Sequence, residues 1–85
     1  MENLVKYILR SSHRVRVLQA IGDDVKFPTQ IANESGVLNN HISRTLRQLR
    51  EHELVELINP EARCGRLYRL TDTGHEALKI IADKS

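Results

Sequence analysis

The hydrophobic period changes twice along this chain, and those changes restrict the folds open to it. Up to His52 the apolar residues recur at helical spacing. Leu4, Val5, Ile8 and Leu9 form one stripe, Val15, Leu18 and Ile21 a second with Val17 beside it, and Ile42, Leu46 and Leu49 a third. From Leu54 the segment LVELINPEARCGRLYRLT reads as strand, turn, strand, with Pro60 opening the turn region and Gly65 ending it. Thr71 then caps a last helix striped by Ala77, Leu78 and Ile81, with Ile80 to one side. In 85 residues, helices followed by one hairpin and a final helix leave room for one small core. Tryptophan is absent, so that core is mostly Leu, Ile and Val.

The breaks between helices carry their own chemistry. Ser11 and Ser12 separate the first two stripes, one of them capping the second helix, and Gly22 with Asp23 stops it. Val25–Phe27 has the β-branched and aromatic content of a short strand. Pro28 enters a third helix whose expected N-cap is Thr29, with Ile31 and Ala32 facing inward and Gly36 closing it. After Val37 and Leu38, Asn39 is the expected N-cap of the fourth. The predicted fold is α+β, mainly α: a winged helix-turn-helix with a three-helix core and a two- or three-stranded β-wing. An additional helix is expected at each end. Within one domain over 1–85, the helix-turn-helix spans 29–52, the wing 55–70 and the C-terminal helix 71–83. Residues 1–10 can act as a dimerisation helix, or Leu4, Val5 and Ile8 can cap the monomer core.

The charge distribution says more than the net value of +2. The stretch GVLNNHISRTLRQLR, Gly36–Arg50, carries three arginines and no acid, although the chain holds 11 acidic residues. Four glutamates follow over 51–62, and Arg63, Arg66 and Arg69 come next. Two basic blocks thus bracket an acidic one, and local fields decide polyanion binding. With Ile42 as the inward direction and about 100° per residue, Leu46 and Leu49 fall within about 40° of it. Asn40, Arg44, Arg47 and Glu51 point outward, His41 and Gln48 line one edge, and Ser43 and Arg50 line the other. Such a helix can enter the major groove by its N-terminal half. Arg44 and Arg47 would fork onto guanine or grip phosphates, and Asn40 would read adenine. His41 and Ser43 would touch base edges or phosphate oxygens. Arg63 and Arg66, at the tip of the hairpin, would lie over the backbone or in the minor groove. The candidate DNA-binding residues are therefore Asn40, His41, Ser43, Arg44, Arg47, Arg63 and Arg66. Tyr68 is expected to support the wing from the core, and Arg69 to sit on the strand surface.

Other function classes fare worse. His13, His41, His52 and His75 are dispersed, and 11 residues of one helix put His41 and His52 roughly 16 Å apart, too far to share a metal. Neither a glycine-rich phosphate loop nor a nucleophile motif is present. No catalytic, metal or cofactor site is expected, and Glu51, Glu53, Glu56 and Glu61 read as solvated charge. The lone Cys64 cannot form an intramolecular disulfide, though its arginine neighbours would favour a thiolate open to oxidation. No apolar run approaches membrane-spanning length, so a cytoplasmic, nucleoid-associated protein is expected.

The segment PTQIANESGVLNNHISRTLRQLREHELVELINPEARCGRLYRLTDTGHEAL resembles the winged helix-turn-helix domain of prokaryotic, especially archaeal, transcriptional regulators of the ArsR/MarR type. The resemblance is carried by Ile31–Ala32, Gly36, SRTLRQL at Ser43–Leu49, Leu54–Val55 and YRLTDTG at Tyr68–Gly74, within residues 28 to 78. It implies that Asn39–His52 is the recognition helix, that Val55–Leu70 is the wing, and that the chain works as a homodimeric transcription factor. A homodimer implies double-stranded DNA with a palindromic operator. The cysteine pair of metal-sensing ArsR members is missing, which speaks against thiol-based metal sensing. The long extra helices that build a MarR effector pocket have no counterpart, which speaks against a small-molecule effector. Two other readings use the same residues: a protein-interaction module in a larger assembly, and a nonspecific chromatin-associated DNA binder.

Overall fold

The computed structural model describes residues 1–84; Ser85, the last residue of the expected domain, lies outside them. Helices α1 (Glu2–Leu9), α2 (Ser12–Ile21), α3 (Pro28–Ser35) and α4 (Asn39–Glu51) come first. Strands β1 (Val55–Leu57) and β2 (Tyr68–Leu70) follow, then helix α5 (Asp72–Lys84). The architecture is a winged helix-turn-helix. α2, α3 and α4 pack on one another as the three-helix core, while α1 and α5 lie together against α2. The aliphatic stripes of the sequence meet there: Val17, Leu18 and Ile21 from α2, Ile31 from α3, and Ile42, Leu46 and Leu49 from α4 are all buried.

Val5 and Ile8 enter the same core, at 2% and 0% exposure, so the inner stripe of α1 is consumed within the monomer. Leu9 is not part of that stripe: it is 48% exposed. Thr45, unassigned by the wheel, is buried; its hydroxyl donates to the His41 carbonyl one turn back, which removes the cost of burying it. Fully buried aliphatic side chains contribute about 1.5–3 kcal/mol each, so this shared cluster dominates stability.

Ser11 caps α2 as expected, its Oγ accepting from the Arg14 N–H at 3.4 Å. Gly36 closes α3 in the left-handed region at φ 75°. Two of the expected caps are displaced. α3 starts at Pro28, and Phe27, not Thr29, is its N-cap; since a phenyl ring offers no acceptor, the polar contact is the Phe27 N–H donating to Gln30 Oε1 at 2.9 Å. Proline already removes one orphan amide of the first turn, so a side-chain cap matters less. Likewise α4 begins at Asn39 itself, with Leu38 as N-cap and no side-chain cap.

The wing is a two-stranded antiparallel ribbon with Val55 opposite Leu70, Glu56 opposite Arg69 and Leu57 opposite Tyr68. Tyr68 and Leu70 turn inward, Arg69 turns out, and Arg69 Nε donates to Glu56 Oε1 across the strands at 2.6 Å. The Val25–Phe27 segment contributes one bridge, Lys26 to Tyr68, rather than a third strand. Lys26 is tied elsewhere: its Nζ donates to the Ala20 carbonyl at the end of α2 and to Glu34 Oε2 on α3, each at 2.6 Å. At the far end of the ribbon Asn59 closes the loop, donating to the Gly65 carbonyl and accepting from the Leu67 N–H.

Between α4 and the ribbon the chain turns through a Schellman motif. The Leu54 N–H reaches the Leu49 carbonyl and the Glu53 N–H the Arg50 carbonyl, with Glu53 left-handed at φ 58°. Thr71 locks this corner to α5. Its hydroxyl donates to the Glu53 carbonyl at 2.6 Å and accepts from the Gly74 N–H at 3.0 Å, which is the expected cap. Gly74 lies so close to the Leu54 backbone that a Cβ there would overlap the Leu54 carbonyl oxygen.

Candidate nucleic-acid interface

Burial of Ile42, Thr45, Leu46 and Leu49 fixes the rotation of α4. Asn40, Ser43, Arg44, Arg47 and Arg50 are consequently exposed, and His41 is half-buried at one edge. Among the described residues the ion pairs engage Lys6, Lys26, Arg69 and His75, and none of Arg44, Arg47 and Arg50. Three guanidinium groups therefore leave one helix without an internal counter-ion. Such a face gains most from meeting an anion, because no existing pair has to break first.

Two clefts flank this helix. On the edge of Ser43, a cleft of about 300 Å³ lies between α4, the start of α3 and the wing, lined by Pro28, Ser43, Arg47, Arg50, Arg66 and Tyr68. It joins Arg47 with Arg66, two expected site residues 19 positions apart in the chain, and adds Arg50. Helical spacing already puts Arg50 on this edge, though it is not among the expected contacts. On the opposite edge a cleft of about 230 Å³ opens between α4 and the start of α2, lined by Ser11, His13, Arg14, His41, Arg44 and Gln48. His13 carried no sequence signal beyond its place near a helix start.

Arg63 and Arg66 are both exposed at the ribbon tip. Arg63, Cys64, Gly65 and Arg66 close over Phe27, Pro28 and Thr29 in a third cleft of about 320 Å³, so the wing tip touches the beginning of the helix-turn-helix. Arg66 Nε also donates to the Ala62 carbonyl at 3.2 Å, which steadies the tip. Cys64 is a free, exposed thiol. A depression of about 580 Å³ lies beside Arg50, Glu53, Glu56 and Asp72, where charges of both signs face water. Among the described residues no group of three or more His, Cys, Asp or Glu side chains is placed to hold a metal. No helix among them is long and apolar enough to cross a membrane.

Arg14 belongs to a different arrangement. Its guanidinium lies 3.7 Å over the Tyr7 ring, donates through Nη1 to the Tyr7 carbonyl at 2.7 Å and through Nε to Gln48 Oε1 at 3.2 Å. His52, the residue closing α4, stacks on Tyr7 with ring centroids 3.8 Å apart. The end of α1 is thereby clamped to the C-terminal half of α4. Nothing in the sequence spacing signals it, because the four residues come from three helices.

Solved structures share this fold. A MarR family transcriptional regulator from Silicibacter pomeroyi DSS-3, SPO1453, superposes with a TM-score of 0.71 at 23% identity, over 98% of this chain and 62% of that one. NadR, in complex with 4-hydroxyphenylacetate, gives 0.73 at 18%, over 96% and 62%. A mutant of ZitR from Lactococcus lactis gives 0.70 at 19%, over 86% and 51%. The chain thus spans about half to three-fifths of the length of these proteins, and the likeness is one of fold. No curated protein matches it in sequence. Residues 2–84, nearly the whole chain, match the family described as HVO_A0261 N-terminal domain, and the chain belongs to that family.

Proposed function

We propose that this domain binds double-stranded DNA in a sequence-specific manner and regulates transcription, with no catalytic role. The observation that carries the reading is the exposed face of α4, where Arg44, Arg47 and Arg50 have no counter-ion among the described residues while the opposite face is buried. α4 would lie in the major groove with Asn40, Ser43, Arg44 and Arg47 toward base edges and phosphates. The ribbon would set Arg63 and Arg66 on the backbone or in the minor groove. The fold shared with MarR family regulators supports this assignment, and the sequence resemblance adds an archaeal affinity. A homodimer on a palindromic operator, in the cytoplasm and associated with the nucleoid, completes the proposal. Since Val5 and Ile8 are committed to the core, the outer faces of α1 and α5 would form the dimer surface.

Selection from a random duplex library at two salt concentrations tests this directly. An enriched sequence with two half-sites about 34–36 Å apart is expected. Affinity should fall steeply with salt as counterions are released. Arg44→Ala and Arg47→Ala should each weaken binding to that sequence by about 1–3 kcal/mol while leaving the unfolding midpoint in place. Retained affinity in the double variant would refute the role of α4. A nearly flat sequence preference would favour the nonspecific binder, and salt-insensitive capture of a protein without any duplex binding would favour the interaction module.

A further inference from the structure

We propose that the cleft between the start of α2 and α4 is a binding site for a phosphodiester, met by the edges of the His13 and His41 rings and held by Arg44. It rests on the DNA-binding reading above and assigns a contact on the edge of α4 opposite the wing. The two imidazole rings stand with centroids 5.0 Å apart and planes inclined by 35°. They open into the cleft that Ser11, Arg14, Arg44 and Gln48 also line.

Charge decides what this cleft accepts. The charged or titratable groups facing the two rings are Arg14 from α2 and Arg44 from α4; Ser11, Thr45 and Gln48 are neutral, and no carboxylate is among the lining residues. Among the described residues the Arg14 guanidinium donates to neutral acceptors, the Tyr7 carbonyl and Gln48 Oε1, and joins no ion pair, while its position is fixed. Arg44 takes part in no ion pair among the described residues. Two imidazoles could in principle share a cation, but two guanidinium groups repel one and no third metal ligand stands beside them. An anion meets the opposite field. It can accept from one ring N–H of each histidine and from Arg44, the last of these bonds being charge-assisted.

Scale makes this anion a backbone phosphate. A helix with its side chains is about 10–12 Å across, and the major groove about 12 Å wide. The His13–His41 cleft lies on one edge of α4 and the Arg47–Arg50–Arg66 cleft on the other. With α4 in the groove, these two clefts face the two phosphate strands that border it. His13, which forms no ion pair among the described residues, thereby becomes a contact for the strand distant from the wing.

The test uses the full chain and the duplex selected above. His13→Ala with His41→Ala should weaken binding about tenfold. His13→Lys, which can still donate to a phosphate oxygen, should hold the affinity, and it covers the case in which the double variant folds poorly. By NMR, the ring resonances of His13 and His41 should move on adding stoichiometric duplex but not equimolar inorganic phosphate. Unchanged affinity in the folded double variant would overturn the site while leaving DNA binding by Arg47 intact. Equal ring shifts with free phosphate would overturn the backbone as occupant. Failure of the wild type to bind any duplex would instead sink the underlying DNA reading.

Discussion

Replacing Gly74 with alanine puts a methyl group where α5 crosses the corner between α4 and the ribbon. The new Cβ would overlap the Leu54 carbonyl oxygen and stand 3.1 Å from its carbon and 3.4 Å from the Leu70 Cβ. Comfortable carbon contacts lie near 3.5–4.0 Å, so α5 must withdraw by at least about 0.5 Å. Overpacking of this kind costs about 1–3 kcal/mol. Withdrawal also stretches the bonds at Thr71, from its N–H to the Leu54 carbonyl and from its hydroxyl to the Glu53 carbonyl, at about 1 kcal/mol each. Against this stands the better helix propensity of alanine, about 1 kcal/mol. The net loss is about 3 kcal/mol, a large share of the roughly 4–13 kcal/mol expected of a domain this size. Gly36→Ala is the control: its left-handed backbone makes alanine cost about 1–2 kcal/mol, but nothing lies within 4 Å of the added atom. Thermal unfolding followed by circular dichroism should lower the midpoint by roughly 12–24 °C for Gly74→Ala, at about 4–8 °C per kcal/mol, and by clearly less for Gly36→Ala. A Gly74→Ala protein as stable as the wild type, or more so, would refute the close approach and leave helix propensity as the ruling effect.

Glu53→Gly should raise stability by about 1 kcal/mol in urea unfolding, since Glu53 holds a left-handed backbone that costs an ordinary residue about that much. Arg14→Met should lower it by about 2 kcal/mol through loss of the Tyr7 stacking and two hydrogen bonds, with the near-ultraviolet signal of Tyr7 reporting the same transition. Lys26→Met should likewise cost about 2 kcal/mol, because the Ala20 carbonyl and Glu34 lose a common donor; hydrogen exchange at the end of α2 should speed up.

The residues on which the fold rests could be read before any coordinates. Ile42, Leu46 and Leu49 oriented α4 by spacing alone, and the same rotation separated the His41 edge from the Ser43 edge that now line different clefts. Ser11, Gly36 and Thr71 announced helix ends because each supplies a local bond or dihedral that does not depend on distant partners. The shifted caps at Phe27 and Leu38 show where local chemistry loses force: Pro28 needs no amide satisfied, and tertiary packing of Ile31 and Ile42 sets those starts. What stayed hidden were side-chain relations between helices. The meeting of His13 with His41, the grip of Arg14 on Tyr7 and Gln48, and the burial of Thr45 depend on how α1, α2 and α4 are set against one another. The motif letter at Gly74 was visible, but its reason, the Leu54 backbone behind it, was not.

The Tyr7, Arg14, Gln48 and His52 assembly has one more implication. A rod fastened near its far end to a neighbouring helix has already surrendered much of its side-chain freedom before any encounter. Whatever docks along the exposed side of α4 therefore meets a backbone already held at that end, and little of the docking free energy is diverted into positioning it.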